Sequence, residues 1–280
     1  MREIDVSKIR DTVRDLSLKA NFELRKDILK AVRDAHSRET NPRAKKTLKS
    51  LIENARLARS KGLALCQDTG MVAVFLEIGR EVALAGGSLE DAVNDGVLDA
   101  YDKGCLRKSV VADPILRNNT KTNTPCVIHT DIVEGDRIKI TVSPKGFGSE
   151  NKSKIKMFKP TAAIDEIKQF IMDVVKEAGP DACPPLVIGV GMGGTFEHAA
   201  YLSKKALLRP IDERNRTRHL AGLEKELLRE INSLGIGPMG LGGKTTVLGI
   251  NIIASPTHIA ALPVAVNVGC HVTRSAERTI

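Results

Sequence analysis

Aromatic side chains are scarce in this chain of 280 residues, which contains no Trp, two Tyr and six Phe. Proteins that bind single-stranded nucleic acid usually stack the bases on aromatic rings, and this chain has few rings to offer. The formal net charge is +9, but the cations are interleaved with acids along the helical segments. We therefore expect a basic surface that attracts a small anionic substrate. A nucleic-acid-binding protein is kept as an alternative from another class.

Long apolar runs are also missing, because none reaches the ~18 residues that a membrane-spanning helix requires. The segment Met1-Arg2-Glu3-Ile4-Asp5 leads into a charged helical pattern rather than a signal peptide. The five Cys are odd in number and widely spaced, which is not typical of a disulfide framework. We therefore expect a cytoplasmic protein without membrane contact, whose thiols are reduced or metal-bound.

No two cysteines follow the C-x-x-C spacing, which disfavours zinc ribbons and ferredoxin-type clusters. Three cysteines instead lie among Gly, Pro or polar residues, in Leu65-Cys66-Gln67-Asp68-Thr69-Gly70, Asp181-Ala182-Cys183-Pro184-Pro185 and Val268-Gly269-Cys270-His271. A cysteine that only packs is more often found inside an apolar helix or strand. Three thiolates from distant loops could hold an iron-sulfur cluster and leave one iron to act as a Lewis acid. From the residues alone, purely structural cysteines are the alternative, and that interpretation is favoured for Cys105 and Cys126.

Hydrophobic periodicity predicts helices over about residues 5 to 60, with Asn41-Pro42 starting a third helix that ends near Ser60. Further helices are predicted at 88–103, 161–177, 196–208 and 214–233. Apolar runs predict strands at 71–78, 125–132, 137–142, 185–190, 247–253 and 262–268. The polar Glu134-Gly135-Asp136 turn indicates a hairpin-like connection, and 143–152 is a polar loop. The pattern predicts a mixed α/β fold, in which a helical N-terminal region precedes a mixed β-sheet flanked by helices. We expect one domain over 1–280, with the helical front at about 1–60.

Two glycine-rich segments resemble nucleotide-binding motifs. Gly189-Val190-Gly191-Met192-Gly193-Gly194 fits G-x-G-x-x-G after a strand, but the acids that follow at Asp212 and Glu213 lie in a helix-to-helix connection rather than at a strand end. Gly242-Gly243-Lys244-Thr245-Thr246 lacks the first glycine of a P-loop. We expect a tight turn that packs a strand against a helix at the first segment and a glycine-rich loop with an exposed Lys at the second. A nucleotide-dependent oxidoreductase is the different-class alternative.

Several segments together resemble one family, the class I iron-sulfur fumarate hydratases, which also includes L(+)-tartrate dehydratases. These are Cys66-Gln67-Asp68-Thr69-Gly70, the loop 146–152, the glycine segment 189–195, Gly235-Ile236-Gly237-Pro238 and Asn267-Val268-Gly269-Cys270-His271. They occur in order over nearly the whole chain. The resemblance is to the N-terminal domain of single-chain members, or to the α subunit of two-subunit members.

The resemblance implies that Cys66, Cys183 and Cys270 bind a [4Fe-4S] cluster in which one iron has no protein ligand. It also implies catalytic roles for Asp68 and His258. Substrate-binding roles are implied for Gln67, Asp68, Arg107, Gly148, Asn151 and Lys152. The histidines at 129, 198 and 271 receive no role.

The activity implied by the resemblance is the reversible hydration of fumarate to (S)-malate, with L(+)-tartrate dehydration as the alternative. The cluster would serve as a Lewis acid without electron transfer, and it would be sensitive to oxygen. In the family, the general base and further substrate-binding residues lie in the C-terminal part. A separate β subunit is therefore expected, in an α2β2 heterotetramer.

Overall fold

Helices occupy most of the N-terminal region, as the spacing of its apolar residues predicts. The computed structural model describes residues 1–280 and confirms the mixed α/β class. The helices are α1 (Val6–Phe22), α2 (Lys26–Arg38), α3 (Pro42–Lys61), α4 (Leu89–Lys103), α5 (Phe147–Glu150), α6 (Ile164–Ala178), α7 (Phe196–Ala206) and α8 (Arg218–Asn232), with short 3₁₀ turns at Gly179–Ala182 and Pro238–Gly240. No helix combines the length and the apolar character needed to cross a membrane.

Side-chain caps explain where several of these helices begin. The Asp5 carboxylate accepts a hydrogen bond from the Ser7 N–H at 2.8 Å, at the start of α1. Asn41 Oδ1 accepts from the Arg43 N–H at 3.0 Å ahead of α3, and Ser88 Oγ accepts from the Asp91 N–H at 3.2 Å ahead of α4. Each cap provides a partner for an N–H group that has none within the helix.

The strands form three sheets. They are β1 (Arg2–Asp5), β2 (Met71–Gly79), β3 (Val82–Ala85), β4 (Val127–Val133), β5 (Ile138–Lys145), β6 (Lys154–Phe158), β7 (Leu186–Gly194), β8 (Val247–Thr257), β9 (Leu262–Gly269) and β10 (Ala276–Thr279). β1 and β3 pair in parallel, and the other two sheets have four strands each. The chain divides into two compact units, Met1–Arg25, Asn54–Phe147 and Arg274–Ile280 in the first, and Lys26–Glu53 and Gly148–Thr273 in the second. The expectation of one domain over 1–280 stays a prediction.

The first unit contains the sheet of order β10-β5-β2-β4. β2 is almost wholly buried and pairs antiparallel with β5 and parallel with β4. The expected hairpin-like connection between β4 and β5 is therefore wrong, because β2 lies between them. α1 and α4 cover this sheet with aliphatic residues such as Ile9, Leu16 and Val97, all fully or almost fully buried.

The second unit contains the sheet of order β6-β9-β7-β8. β7 is one of its two inner strands, parallel to β8 and antiparallel to β9. The expected glycine turn after Val190 is wrong, because β7 continues to Gly194. A Cβ at Gly191 would lie 2.1 Å from the Ala199 carbonyl oxygen of α7. The glycines therefore let a helix backbone rest directly on the strand, and the phosphate-binding loop of a dinucleotide site is absent here.

The second glycine-rich segment, residues 242–246, also makes its hydrogen bonds within the protein. The buried Glu39 carboxylate accepts hydrogen bonds from the N–H groups of Lys244 at 2.7 Å, Thr40 at 2.8 Å and Asn41 at 2.9 Å. Lys244 Nζ donates to the Arg38 carbonyl at 3.2 Å. The Glu39 carboxylate thus accepts the hydrogen bonds that a nucleotide phosphate would need.

Candidate active site

All three cysteines singled out by their neighbours lie outside helices and strands, as predicted. Cys66 lies in the first unit between α3 and β2, and Cys183 and Cys270 lie in the second unit, just before β7 and just after β9. Each is of intermediate exposure, and no cysteine of the chain forms a disulfide. No group of three or more His, Cys, Asp and Glu side chains is arranged to hold a single metal ion.

In the second unit, sheet pairing brings the Cys183 and Cys270 loops together. Val187 at the start of β7 pairs with Gly269 at the end of β9. His271 Nδ1 lies 3.0 Å from the Cys183 carbonyl oxygen, and the Val272 N–H donates to Cys270 Sγ at 3.4 Å. Cys183 has φ +55°, a left-handed conformation that is uncommon for a residue with a side chain and is often found at functional sites.

The loop after α5 is tied to the same end of this sheet. Lys152 Nζ lies 2.8 Å from Asp181 Oδ2, two residues before Cys183. Asn267 Nδ2, near the end of β9, donates to Glu150 Oε2 at 3.0 Å and to Ser153 Oγ at 3.1 Å. Of the expected substrate-binding residues, Gly148 therefore lies in α5, and Asn151 and Lys152 lie in the loop after it, which is anchored beside Cys183 and β9.

In the first unit, the Cys66 loop is held by hydrogen bonds to Asp68 and Thr69. The Asp68 carboxylate accepts from the Gly70 N–H at 3.0 Å and from the Phe147 N–H at 2.9 Å. The Thr69 hydroxyl donates to the Arg107 carbonyl at 2.7 Å. The structure thus brings the Arg107 backbone next to the Cys66 loop, and the side chains of Gln67 and Arg107 are exposed.

Tyr101 lies beneath this loop and fixes it from the buried side. Its hydroxyl contacts the Thr69 carbonyl at 2.7 Å and the Gly70 carbonyl at 2.9 Å. Burial raises the pKa of Tyr101 to about 12, so the phenol keeps the proton that it donates. Gly70 has φ +80°, and a Cβ there would lie 2.6 Å from the Lys145 backbone. The turn after Asp68 therefore requires glycine.

Arg274 is a buried residue of this region that the sequence did not indicate. It is 4% exposed. Its Nη2 donates to the Asp68 carbonyl at 2.6 Å and its Nε to the Pro144 carbonyl at 3.3 Å, while its Nη1 is buried without a hydrogen-bond partner. Because a buried cation is costly, its contacts to both segments mark it as a residue that positions the Cys66 loop. Its burial depends on long-range folding, so no local pattern distinguishes it from the chain's other arginines.

His258 lies at the opposite end of the sheet from Cys270. It follows β8, whose last residue Thr257 pairs with Gly194, and it is exposed. The 8-residue strand β9 separates the His258 turn from Cys270, a length on the order of 25 Å at about 3.3 Å per residue. The structure therefore does not bring His258 to Cys183 and Cys270 of the same chain.

Most of the histidines and cysteines that were given no role make packing contacts or are simply buried. His129 stacks on Phe75 at 5.0 Å, and His198 on Tyr201 at 6.1 Å. Cys126 is buried, and burial raises the pKa of its thiol to about 12, while Cys105 is exposed. His271 is the exception, because it contacts Cys183; burial lowers its pKa, although the hydrogen bond to the Cys183 carbonyl acts the other way.

A family model described as fumarate hydratase (Fumerase) matches residues 10–279. The chain belongs to the fumarate hydratase family. One relative, "Putative L(+)-tartrate dehydratase subunit alpha" of Methanocaldococcus jannaschii, is 42% identical over 98% of each chain. Another, L(+)-tartrate dehydratase subunit alpha of Escherichia coli K12, is 30% identical over 95% of this chain and 88% of its own. The description of the family model and the names of these relatives together support a lyase that adds or removes water.

Proposed function

We propose that the chain is the α subunit of an iron-sulfur hydro-lyase that acts on a four-carbon dicarboxylate. The observation that carries this proposal is the family match over nearly the whole chain. Cys66, Cys183 and Cys270 are the proposed ligands of a [4Fe-4S] cluster. Thiolates are the usual protein ligands of such clusters.

The cysteines of this chain fit that group in three respects. All three lie in loops with partly exposed side chains, where a thiolate can reach a ligand. The Val272 N–H donates to Cys270 Sγ at 3.4 Å, and hydrogen bonds to sulfur are one means by which proteins tune a cluster. Each cysteine of a cluster binds a different iron, so the sulfurs need not converge on one point as the ligands of a single ion do.

The first unit would supply the groups that recognise substrate beside Cys66. When bound, the cluster would offer an iron without a protein ligand, which acts as a Lewis acid toward the substrate hydroxyl and carboxylate. Arg107 would bind a carboxylate through its planar guanidinium. Gln67 and Asp68 would bind the hydroxyl region. Asp68 is already held by two backbone N–H groups, and each of its oxygens can still accept a hydrogen bond from a substrate hydroxyl.

The second unit would supply Gly148, Asn151, Lys152 and His258. Lys152 is paired with Asp181, so it would exchange one carboxylate partner for another when a dicarboxylate binds. His258 Nδ1 accepts a hydrogen bond from the Ala260 N–H at 3.1 Å. Its neutral ring therefore carries the proton on Nε2, which makes Nε2–H the group that can donate to substrate.

Two substrates fit this proposal. The resemblance favours fumarate, whose hydration gives (S)-malate. The names of the relatives favour L(+)-tartrate, whose dehydration gives oxaloacetate. Both are small dianions, which a basic protein attracts. Both reactions add or remove water at two adjacent carbons. The relatives are named as α subunits, which supports a separate β subunit. The resemblance implies that this subunit supplies the general base.

Anaerobic co-expression with a candidate β subunit tests the proposal. The complex should show the visible absorbance of an iron-sulfur cluster and should hydrate fumarate or dehydrate tartrate, and exposure to air should abolish both properties. Cys183→Ser should lose absorbance and activity together, while the exposed Cys105→Ser should keep both. Full activity of a colourless enzyme, or tight NAD binding without cluster absorbance, would overturn the proposal.

A further inference from the structure

The four-stranded sheet of the first unit ends in an open strand edge. β4 pairs only with β2 and is the last strand of the order β10-β5-β2-β4. The Arg80 N–H donates to the Val133 carbonyl at 2.8 Å, so the odd-numbered residues of β4 direct their backbone groups toward β2. Ile128, Thr130 and Ile132 direct theirs to the open edge, because successive residues of a strand alternate. Their N–H and C=O groups can therefore pair with a strand of another molecule.

Other edges of the four-stranded sheets are protected in ways that β4 is not. At the β8 edge, the Ile252 N–H donates to the Glu224 carboxylate at 2.7 Å, and Asn215 Nδ2 donates to the Ile252 carbonyl at 2.9 Å. β10 has four residues, two of them charged, and β6 has five, two of them lysine. Short length and charged residues keep strand edges from pairing. β4 has seven residues without Lys or Pro, and Ile132 within it is 69% exposed.

The sequence of β4 is close to a palindrome. An antiparallel pairing with its own copy, centred on Thr130, matches each residue with a like or complementary one: Val127 with Val133, Ile128 with Ile132, His129 with Asp131, and Thr130 with itself. Apolar pairs, Thr–Thr pairs and pairs of opposite charge are favourable across strands. This register also makes the outward residues the hydrogen-bonded pairs, as their backbone direction requires. A shift by two residues would place either His129 or Asp131 opposite its own copy.

A groove beside this edge matches the same register. Leu89, Glu90, Cys126, Ile128 and Thr130 line a cavity of about 390 Å³ between the start of α4 and β4. In the pairing centred on Thr130, the second copy's Ile132 lies opposite Ile128. Even-numbered residues share one face of the strand, so this isoleucine lies on the face that lines the cavity. An exposed isoleucine beside a groove that accepts its own copy indicates a self-complementary surface.

We propose that β4 pairs antiparallel with β4 of a second copy of this chain, about a two-fold axis at Thr130. The two four-stranded sheets then form one continuous sheet. Because the axis is two-fold, every contact occurs twice, and Ile132 of each copy packs beside Ile128 of the other. The inference goes beyond the proposed function, since it uses no residue of the candidate active site and requires no cluster.

Cross-linking between engineered cysteines tests the register. In the full chain, Thr130→Cys should cross-link to its own copy with dibromobimane, a short thiol reagent, because residues on the axis lie about 5.5 Å apart. Val127→Cys and Val133→Cys should cross-link when the two variants are co-expressed. Neither should do so alone, because identical residues then lie on the order of 20 Å apart. Protein without an added cysteine gives the background of the native thiols. Absence of the Thr130→Cys link, or a link of Val127→Cys to its own copy, would overturn the proposal.

A lysine at the edge tests the association itself. In sedimentation equilibrium of the full chain, Ile132→Lys should raise the dissociation constant at this contact at least about 100-fold, because each dimer loses two buried isoleucines. The matched control is Ile115→Lys, since Ile115 is 86% exposed in the first unit but lies outside the sheet; it should associate as the wild type does. Both positions are exposed, so both variants should melt as the wild type does. Unchanged association of Ile132→Lys would contradict the proposal. So would loss of the Thr130→Cys link when a candidate β subunit binds, since that subunit would then be the partner at this edge.

Discussion

Replacement of Arg274 by Met should loosen the Cys66 loop without unfolding the protein. Arg274→Met removes the short hydrogen bond from Nη2 to the Asp68 carbonyl (2.6 Å) and the longer one from Nε to the Pro144 carbonyl (3.3 Å). A hydrogen bond to a charged group contributes about 1.5–3 kcal/mol and a long one about 0.5–1 kcal/mol. Relief from burying the guanidinium offsets part of this loss. The net local destabilisation should be about 2–3 kcal/mol.

Amide hydrogen exchange measures this loss where it occurs. The N–H groups of Gly70 and Phe147 both donate to the Asp68 carboxylate, so they report directly on the position of the loop. Since about 1.4 kcal/mol corresponds to a factor of ten, a loss of about 2–3 kcal/mol should speed their exchange roughly 30- to 150-fold. Amides in the second unit, such as those of β7, should exchange as in the wild type.

Two further variants distinguish the effect of losing the positioning contacts of Arg274 from the effect of losing a positive charge. Arg278→Met removes a guanidinium whose side chain is 48% exposed and pairs with Asp15 at 3.4 Å, and an exposed pair contributes only about 0–1 kcal/mol. It should leave the exchange of Gly70 unchanged. Arg274→Lys keeps the charge but cannot reproduce the planar fork, so it should give an intermediate rate. If the Gly70 and Phe147 amides of Arg274→Met exchange at rates within threefold of the wild-type rates, the positioning role is refuted.

Three other changes have definite expected outcomes. Maleimide at pH 8 should label the exposed Cys105 quickly and Cys126 hardly at all, because burial raises the Cys126 pKa to about 12; equal labelling of the folded chain would contradict this. Burial alone would raise the pKa of Glu39, but backbone N–H donors outweigh it and hold the pKa below its ordinary value. Its stabilising contribution is therefore full above the ordinary carboxyl pKa and is lost as pH falls through the lowered one; Glu39→Gln should lower the unfolding midpoint at pH 7, and the two midpoints should converge once the pH is below the lowered pKa. Gly191→Ala should destabilise the second unit by several kcal/mol in urea unfolding, because its Cβ would lie 2.1 Å from the Ala199 carbonyl oxygen; a stable variant would show that α7 moves easily on β7.

Elements with strong apolar periodicity or a capping residue could be predicted from the sequence. α3 runs over Pro42–Lys61, close to its predicted limits, because Asn41 caps it. The short strands β1, β3, β6 and β10 were not predicted. β6, Lys154–Phe158, alternates charged and apolar residues at a sheet edge, and its hydrogen bonds come from the partner strand rather than from its own composition.

The candidate site could be predicted where function requires a particular residue type. The three cysteines were singled out by their neighbours, and the roles of Asp68 and Arg107 were implied by the resemblance to a family. The structure places the Arg107 backbone beside Thr69. Arg274 could not be found this way, since its role arises from contacts with Asp68 and Pro144, which are distant in the sequence. The glycines of β7 were expected to form a tight turn, and they instead belong to a strand, because close packing of a helix backbone requires the same residue as a turn.

The positions of His258 and Cys270 show why sequence proximity misleads about an active site. The two residues are 12 positions apart in the sequence, and a helix between them would separate them by about 18 Å, because a helix rises only about 1.5 Å per residue. The intervening residues instead form β9, which advances about 3.3 Å per residue. β9 is also fixed between β7 and β6, so it cannot fold back to return His258 to Cys270. The sheet therefore holds His258 and Cys270 of one chain at opposite ends of β9.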